Sequence, residues 1–300
     1  NYEAMSYVWG DENADQEIQI SGDKFLVRPN VLSALRRFRD KKKQRVLWID
    51  AICINQLDMK ERNQQVQLMT EIYSRASVVL IWFGADDSHV RSVFPEFRDM
   101  INEMLDEPDP TRWPEWVTGT ASLFTNTWFE RAWIFQEVIC SKKAEIYCGS
   151  RDEYVNDYGA PRVANSLPWE RISRFYELNG ESGMLEKVPS GYCTVIGPLN
   201  HYQKEFNNVP DGKNTIDLLN LLELRRDSKA TDPKDKVFSL LGLLSQKQRG
   251  LFRADYKLSV REVYRNISKA IIRFRMDLRV LSAVQQPSGK FELPSWVPDW

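Results

Sequence analysis

The sequence predicts an α/β protein, a doubly wound and mostly parallel sheet that carries a mostly helical C-terminal elaboration. Three observations point there. Strand and helix signals alternate through the first half of the 300 residues, as chained βαβ units do. The run Ser77–Phe83 is apolar without alternation, the mark of a parallel strand covered on both faces. Beyond residue 150 the strand signals fade and helical stripes take over. The expected division is a core over 1–150, with an insertion at about 85–124, and a helical extension over 151–300 packed on it.

The elements follow in order. Met5–Val8 is a short apolar strand ending at Trp9-Gly10, and Ile18–Ile20 with Phe25–Val27 flank Ser21-Gly22-Asp23 as a hairpin. Asn30 is a candidate N-cap for a helix whose stripe is Val31, Leu35 and Phe38. Arg45–Asp50 reads as a buried strand ending in a carboxylate, and Asp58 with Glu61 as a capping box for the next helix. The insertion holds a helix at about Val90–Leu105 and the polar stretch Glu107-Pro108-Asp109-Pro110. Thr127 and Glu130 form a second capping box, opening a helix from Trp128 to about Ser141, with a strand at Ala144–Cys148 after it. In the second half Asp217–Leu224 and Ser259–Arg275 are helical, and Asp232-Pro233 starts a further helix. Residues 151–211 show little periodicity.

Composition removes several classes. Net charge is −1, without the basic excess of a nucleic-acid binder, and Lys41-Lys42-Lys43 reads as a solvated helix end. No apolar run approaches the roughly 18 residues of a membrane span. The four cysteines form no C-x-x-C pair, and neither His89 nor His201 stands at ligand spacing, so no metal site is expected. Scattered cysteines fit a reducing, cytoplasmic location. The chain starts at Asn1 with no Met and no signal-like segment, which constrains location only weakly. No P-loop or G-x-G-x-x-G occurs, and Ser6 lacks a G-x-S-x-G context. His89 beside Asp86 and Asp87 reads as a solvated loop. Cys53 follows a strand end but has no histidine nearby in sequence.

One carboxylate stands out. The segment from Trp128 to Ser141 is apolar around most of its circumference, yet Glu137 lies within it. Its helical neighbours Trp133, Ile134, Cys140 and Ser141 cannot neutralise it. An unpaired buried charge is expensive, so Glu137 is paired through the fold (Arg131 is one candidate), protonated, or facing a cavity. In a doubly wound sheet ligands sit beyond the carboxyl ends of the strands. Here those ends are Trp9-Gly10, Asp50–Gln56 and Gly84–Asp87.

The runs Ser6-Tyr7-Val8-Trp9-Gly10, Leu47-Trp48-Ile49-Asp50-Ala51-Ile52-Cys53-Ile54-Asn55-Gln56 and Arg131-Ala132-Trp133-Ile134-Phe135-Gln136-Glu137 together resemble the HET (heterokaryon incompatibility) domain of filamentous fungi. Ala230–Lys236 and the ending Leu293–Trp300 look like the extended HET region. The Trp133-to-Glu137 spacing, the strand order and the Ser-Tyr and Asp positions are distantly similar to enzymatic TIR domains. The TIR similarity stops near Gly149, and the insertion is longer than its TIR counterpart.

The HET resemblance implies a cell-death effector of fungal non-self recognition with an incompatibility partner protein. The TIR similarity implies a TIR- or flavodoxin-like sheet, homo-oligomerisation on activation through the loop after the second strand, and cleavage of NAD as substrate, with no resident cofactor. Glu137 is then the catalytic residue. It would stabilise a ribosyl oxocarbenium ion as nicotinamide leaves and water attacks to give an ADP-ribose-type product. Ser6, Tyr7, Trp9, Gly10, Asp50, Asn55 and Trp133 are the expected substrate-binding residues. Three of them have a structural alternative: core packing for Trp133, loop closure for Asp50 and Asn55. The competing expectation is a non-catalytic module that triggers death by assembly, with Glu137 structural.

Overall fold

The computed structural model describes residues 1–10, 12–40, 42–85, 88–106, 126–149, 166–181, 190–209, 216–285 and 289–300. Lys41, Asp86, Asp87, the His89 side chain and the Glu107–Pro110 stretch lie outside the described residues.

The sheet has five strands: β1 (Glu3–Tyr7), β4 (Leu47–Trp48), β5 (Val79–Trp82), β6 (Ala144–Tyr147) and β7 (Ser166–Pro168), in the order β4-β1-β5-β6-β7. The first four pair in parallel and β7 closes one edge antiparallel to β6. The α/β, largely parallel expectation therefore holds. β1 sits between the strand that follows it and the one after that, so the order reverses between β1 and β5, the place where open sheets form a crevice.

Apart from the sheet, β2 (Gln16–Ile20) and β3 (Asp23–Val27) form the expected hairpin. Ser21 and Gly22 both have positive φ, 53° and 94°, as a type I′ turn requires. α1 (Pro29–Phe38) starts with Pro29 in its first turn and Arg28 as cap. Asn30 is not the cap. Its amide instead donates to Val8 O at 2.6 Å and accepts from Trp82 Nε1 at 2.9 Å, tying α1 to the ends of β1 and β5. Met5, Tyr7, Val31, Phe38, Leu80 and Trp82 form the core on this face.

The strand expected over Arg45–Asp50 is only two residues long, because Asp50 already opens the short helix α2 (Asp50–Cys53). α3 (Met59–Arg75) is capped by Asp58, whose Oδ1 accepts from Lys60 N and Glu61 N. α4 (Ser88–Asp106) fills the first part of the insertion.

The helix expected over Trp128–Ser141 is broken. Thr127–Glu130 is a 3₁₀ turn, capped by Asn126 rather than Thr127, and α5 spans only Ile134–Ile139. Between them Arg131 forms an isolated parallel bridge with Lys229, followed by a turn: Lys229 N donates to Glu130 O at 2.6 Å, and Ala132 N donates to Lys229 O at 3.0 Å. α6 (Trp169–Glu181) and α7 (Ser190–Asn208) occupy the stretch without periodicity. α8 (Leu218–Leu224) is capped by Asp217, α9 (Asp235–Leu241) follows the Asp232-Pro233 turn, and α10 (Gln246–Arg249) is short. α11 (Val260–Arg275) carries a complete capping box between Ser259 and Glu262.

The chain forms two compact units, each made of segments that are discontinuous in sequence. The sheet unit comprises residues 1–53, 75–129 and 141–200, and the helical unit residues 54–74, 130–140 and 201–300. The segment bearing Glu137 thus belongs to the helical unit. There Gly242, just past α9, stands directly against the Gln136 amide and the Thr70 hydroxyl. Those two side chains bond to each other in a buried position, so neither is free to retreat.

Gly242→Ala is accordingly expected to lower stability by about 1–3 kcal/mol through overpacking, measured as a reduced urea midpoint with unchanged slope. A midpoint equal to the parent's would show that the site yields.

Candidate functional site

The expected site residues fall into two groups, one per unit. In the sheet unit, Asp50 gathers the end of β1. Its Oδ1 accepts from the Tyr7 hydroxyl and its Oδ2 from Trp9 Nε1, each at 2.9 Å, and Oδ1 also accepts from Ala51 N at 2.7 Å. Gly10 follows with φ +74°, a backbone state that suits glycine. The Arg28 guanidinium donates to Gly10 O and lies 5.6 Å from the Trp9 ring centre. Trp9, Gly10 and Asp50 are half-exposed at the carboxyl end of β1, where the strand order reverses. Tyr7 is buried beneath them.

Ser6 does not join this group. Successive strand residues point to opposite faces, so Ser6 and Tyr7 cannot line one pocket. The Ser6 hydroxyl accepts from Trp128 Nε1 at 2.8 Å on the other face, beside Phe83, Phe129 and Trp169. Cys53 ends α2. Burial of its sulfur, which accepts from Ile49 N, pushes the thiol up, away from the thiolate a nucleophile needs.

The helical unit holds Asn55, Trp133 and Glu137. Asn55 is exposed and structural in its contacts, accepting from Leu57 N and donating its own N–H to Glu61. Glu137 is 1% exposed. Its two carboxylate oxygens accept from the two terminal nitrogens of Arg131, each at 2.9 Å. This side-by-side fork is the strongest arrangement available to the two groups. In an unbroken helix residues six apart are displaced by about 9 Å along the axis and face different ways. The break at 131–133 is what returns Arg131 to Glu137. A second buried guanidinium, Arg225, donates to Arg131 O at 3.0 Å and lies 4.5 Å from the Phe135 ring centre. Burial lowers its pKa to about 10, still charged at neutral pH. Of the three states open to Glu137 from sequence, the structure has the paired one.

Sequence reasoning missed a second buried network, centred on Asp235. This carboxylate accepts from the Tyr256 hydroxyl and from the Trp133 indole. Arg62 lies 3.7 Å from the Asp235 carboxylate, 3.5 Å from that of Asp232, and 3.7 Å from the centre of the Tyr256 ring. Trp133 therefore serves as a donor to a structural carboxylate. Burial raises the Asp235 pKa to about 6, against the opposing pull of Tyr256 and Arg62. The mixed charges of Asp232-Pro233-Lys234-Asp235-Lys236 at a helix start were the one available signal. Among the described residues no cluster of ligating side chains suits a metal ion.

Comparison with known proteins bears on residues of both units. Residues 2–137 match the family model described as Heterokaryon incompatibility protein (HET). The whole chain aligns with Heterokaryon incompatibility protein 6, OR allele, of Neurospora crassa at 27% identity over 364 positions. The chain spans about half the length of that relative, 53%. No solved structure matches it.

Two outcomes follow from this geometry. Arg131→Met strands a buried carboxylate and is expected to cost about 3–5 kcal/mol. Arg131→Met combined with Glu137→Met should recover most of that loss in a denaturant-based double-mutant cycle, and additive losses would show that the two side chains act independently. Asp235 binds its proton more tightly in the native chain than at the unfolded value of 3.8. Its contribution to stability is full below that value and declines, by about 1 kcal/mol per pH unit, as pH rises to about 6. The stability difference between the parent and Asp235→Asn should change over that window and be flat above it; a flat difference throughout contradicts the assignment.

Proposed function

We propose, from the match of residues 2–137 to the heterokaryon incompatibility (HET) family model, that the chain belongs to a fungal non-self recognition protein and triggers cell death by assembly, with Glu137 a structural anchor. One observation carries the choice. Both Glu137 oxygens are engaged by one guanidinium at a residue that is 1% exposed. A carboxylate that stabilises a ribosyl cation must present an oxygen to the sugar, and doing so here would break a buried ion pair.

Assembly through a second copy of the chain has its own support. Leu57, in the segment after the second strand, is 94% exposed with Met59 beside it. An apolar side chain so placed stabilises an interface more than it stabilises the free monomer.

NAD cleavage is the second reading; what supports it lies in the sheet unit alone, where Trp9, Gly10 and Asp50 stand at the switch point, the position at which open sheets bind nucleotides. It gives nicotinamide and an ADP-ribose-type product.

The two readings separate in one experiment. The purified chain is incubated with NAD at concentrations where light scattering reports assembly, beside Leu57→Glu and Glu137→Gln. The expected result is assembly without nicotinamide release, abolished by Leu57→Glu. Release by the parent chain that is lost in a folded Glu137→Gln variant would overturn the proposal in favour of the second reading.

A further inference from the structure

The outward face of α11 carries a row of cations. Arg261, Arg265, Lys269 and Arg273 recur at every fourth position, which sets them along one side of the helix over about 18 Å. Arg261, Lys269 and Arg273 are exposed, and Arg265 is half-buried. Between residues 260 and 282 there are six Arg and Lys against Glu262 and Asp277, an excess of four in a chain whose net charge is −1.

Most of the acidic neighbours are committed. Glu262 caps the helix start through Ser259, Glu292 lies 3.6 Å from Arg261, and Asp277 binds Arg275 and Arg279. Among the described residues no carboxylate pairs with Lys269 or Arg273.

The row ends in an exposed apolar tip. Met276 is 87% exposed and Leu278 63% exposed, with Leu281 also at the surface. Met276 adopts the left-handed conformation, φ 57° and ψ 30°, while its N–H closes the helix on Ile272 O. Glycine fills this position at far lower conformational cost, and usually does. A strained residue that also exposes a long apolar side chain gains nothing for the fold of the isolated chain. Lys247 adds a further cation 5.8 Å from the Phe274 ring, at the same end of the helix.

From this juxtaposition we infer that α11 and the Met276–Leu281 turn dock on an anionic membrane surface. The cations would lie among acidic headgroups while Met276 and Leu278 enter the acyl boundary. The two features fit a bilayer together. A phosphate backbone would use the cations and leave the apolar tip in water, whereas an interfacial helix is held by both. No helix among the described residues is long and apolar enough to cross a membrane, so the mode is attachment to the surface.

The test is cosedimentation of the 300-residue chain with vesicles of phosphatidylcholine alone and of phosphatidylcholine with phosphatidylserine, beside a duplex DNA competitor. Binding is expected to the anionic vesicles only, and to weaken as salt rises. Each cation near such a surface strengthens binding by about fivefold, so Lys269→Glu with Arg273→Glu should lose at least about 25-fold. Met276→Gly provides the control for folding. It is expected to raise the melting temperature by relieving the left-handed strain, yet to weaken vesicle binding severalfold. Absence of vesicle binding, equal binding to both compositions, or unchanged binding by Met276→Gly would each overturn the inference. So would displacement by DNA with the Met276→Gly variant still bound as tightly as the parent, which would mark the row as a nucleic-acid surface.

Discussion

A buried ion pair and the break that permits it organise the helical unit. Glu137 lies in an apolar environment that would reject a lone charge, and Arg131 is the residue that lets it stay. The two are too far apart along a regular helix to meet. They do so because Arg131 forms a parallel bridge with Lys229 and α5 starts afresh at Ile134. Arg225 then fastens to the backbone of Arg131 from α8's end. Segments distant in sequence thus converge on one short stretch, which explains why residues 130–140 group with the C-terminal helices.

That arrangement gives the acidic residue a structural part to play. Charge placed in oil is often read as a functional signal, and perturbed or buried carboxylates do concentrate at active sites. The same signal arises when a carboxylate locks a local chain path. A forked pair fixes both partners in orientation as well as distance, so it selects the broken conformation over the continuous helix that the apolar pattern also allows. Asp235 does comparable work nearby, holding Tyr256, Trp133 and Arg62 around one buried carboxylate. Trp133 and Glu137, expected as partners at a substrate, are instead each tied to a separate structural network.

Much of the architecture was legible in the sequence because it rests on local rules. The Ser21-Gly22 turn, the apolar run through β5, the cap at Asp58 and the helical stripe after Ser259 depend on residues within a few positions of each other. The Trp128–Ser141 segment was not, since hydrophobic periodicity reads much the same whether or not the helix is broken and the pairing to Lys229 is distant in sequence. Adjacent Glu130 and Arg131 in an oily stretch were the only local hint. The grouping of Ser6 with Tyr7 failed for a simpler reason: strand alternation separates neighbours onto opposite faces. Asp50 opens α2 two residues beyond β4, and its bonds to Tyr7 and Trp9 hold the β1 terminus.

The most direct trial of Glu137 as an anchor removes both charges at once and asks whether biology survives. A chain with Arg131→Met and Glu137→Met, checked for a native melting transition, is expressed in a filamentous fungus and scored for cell death against the parent chain. If the carboxylate serves only to hold the fold, the folded double variant still kills. A variant that folds as the parent does but leaves the cells alive would contradict the account, because it would show that an oxygen of Glu137 is needed for something other than Arg131.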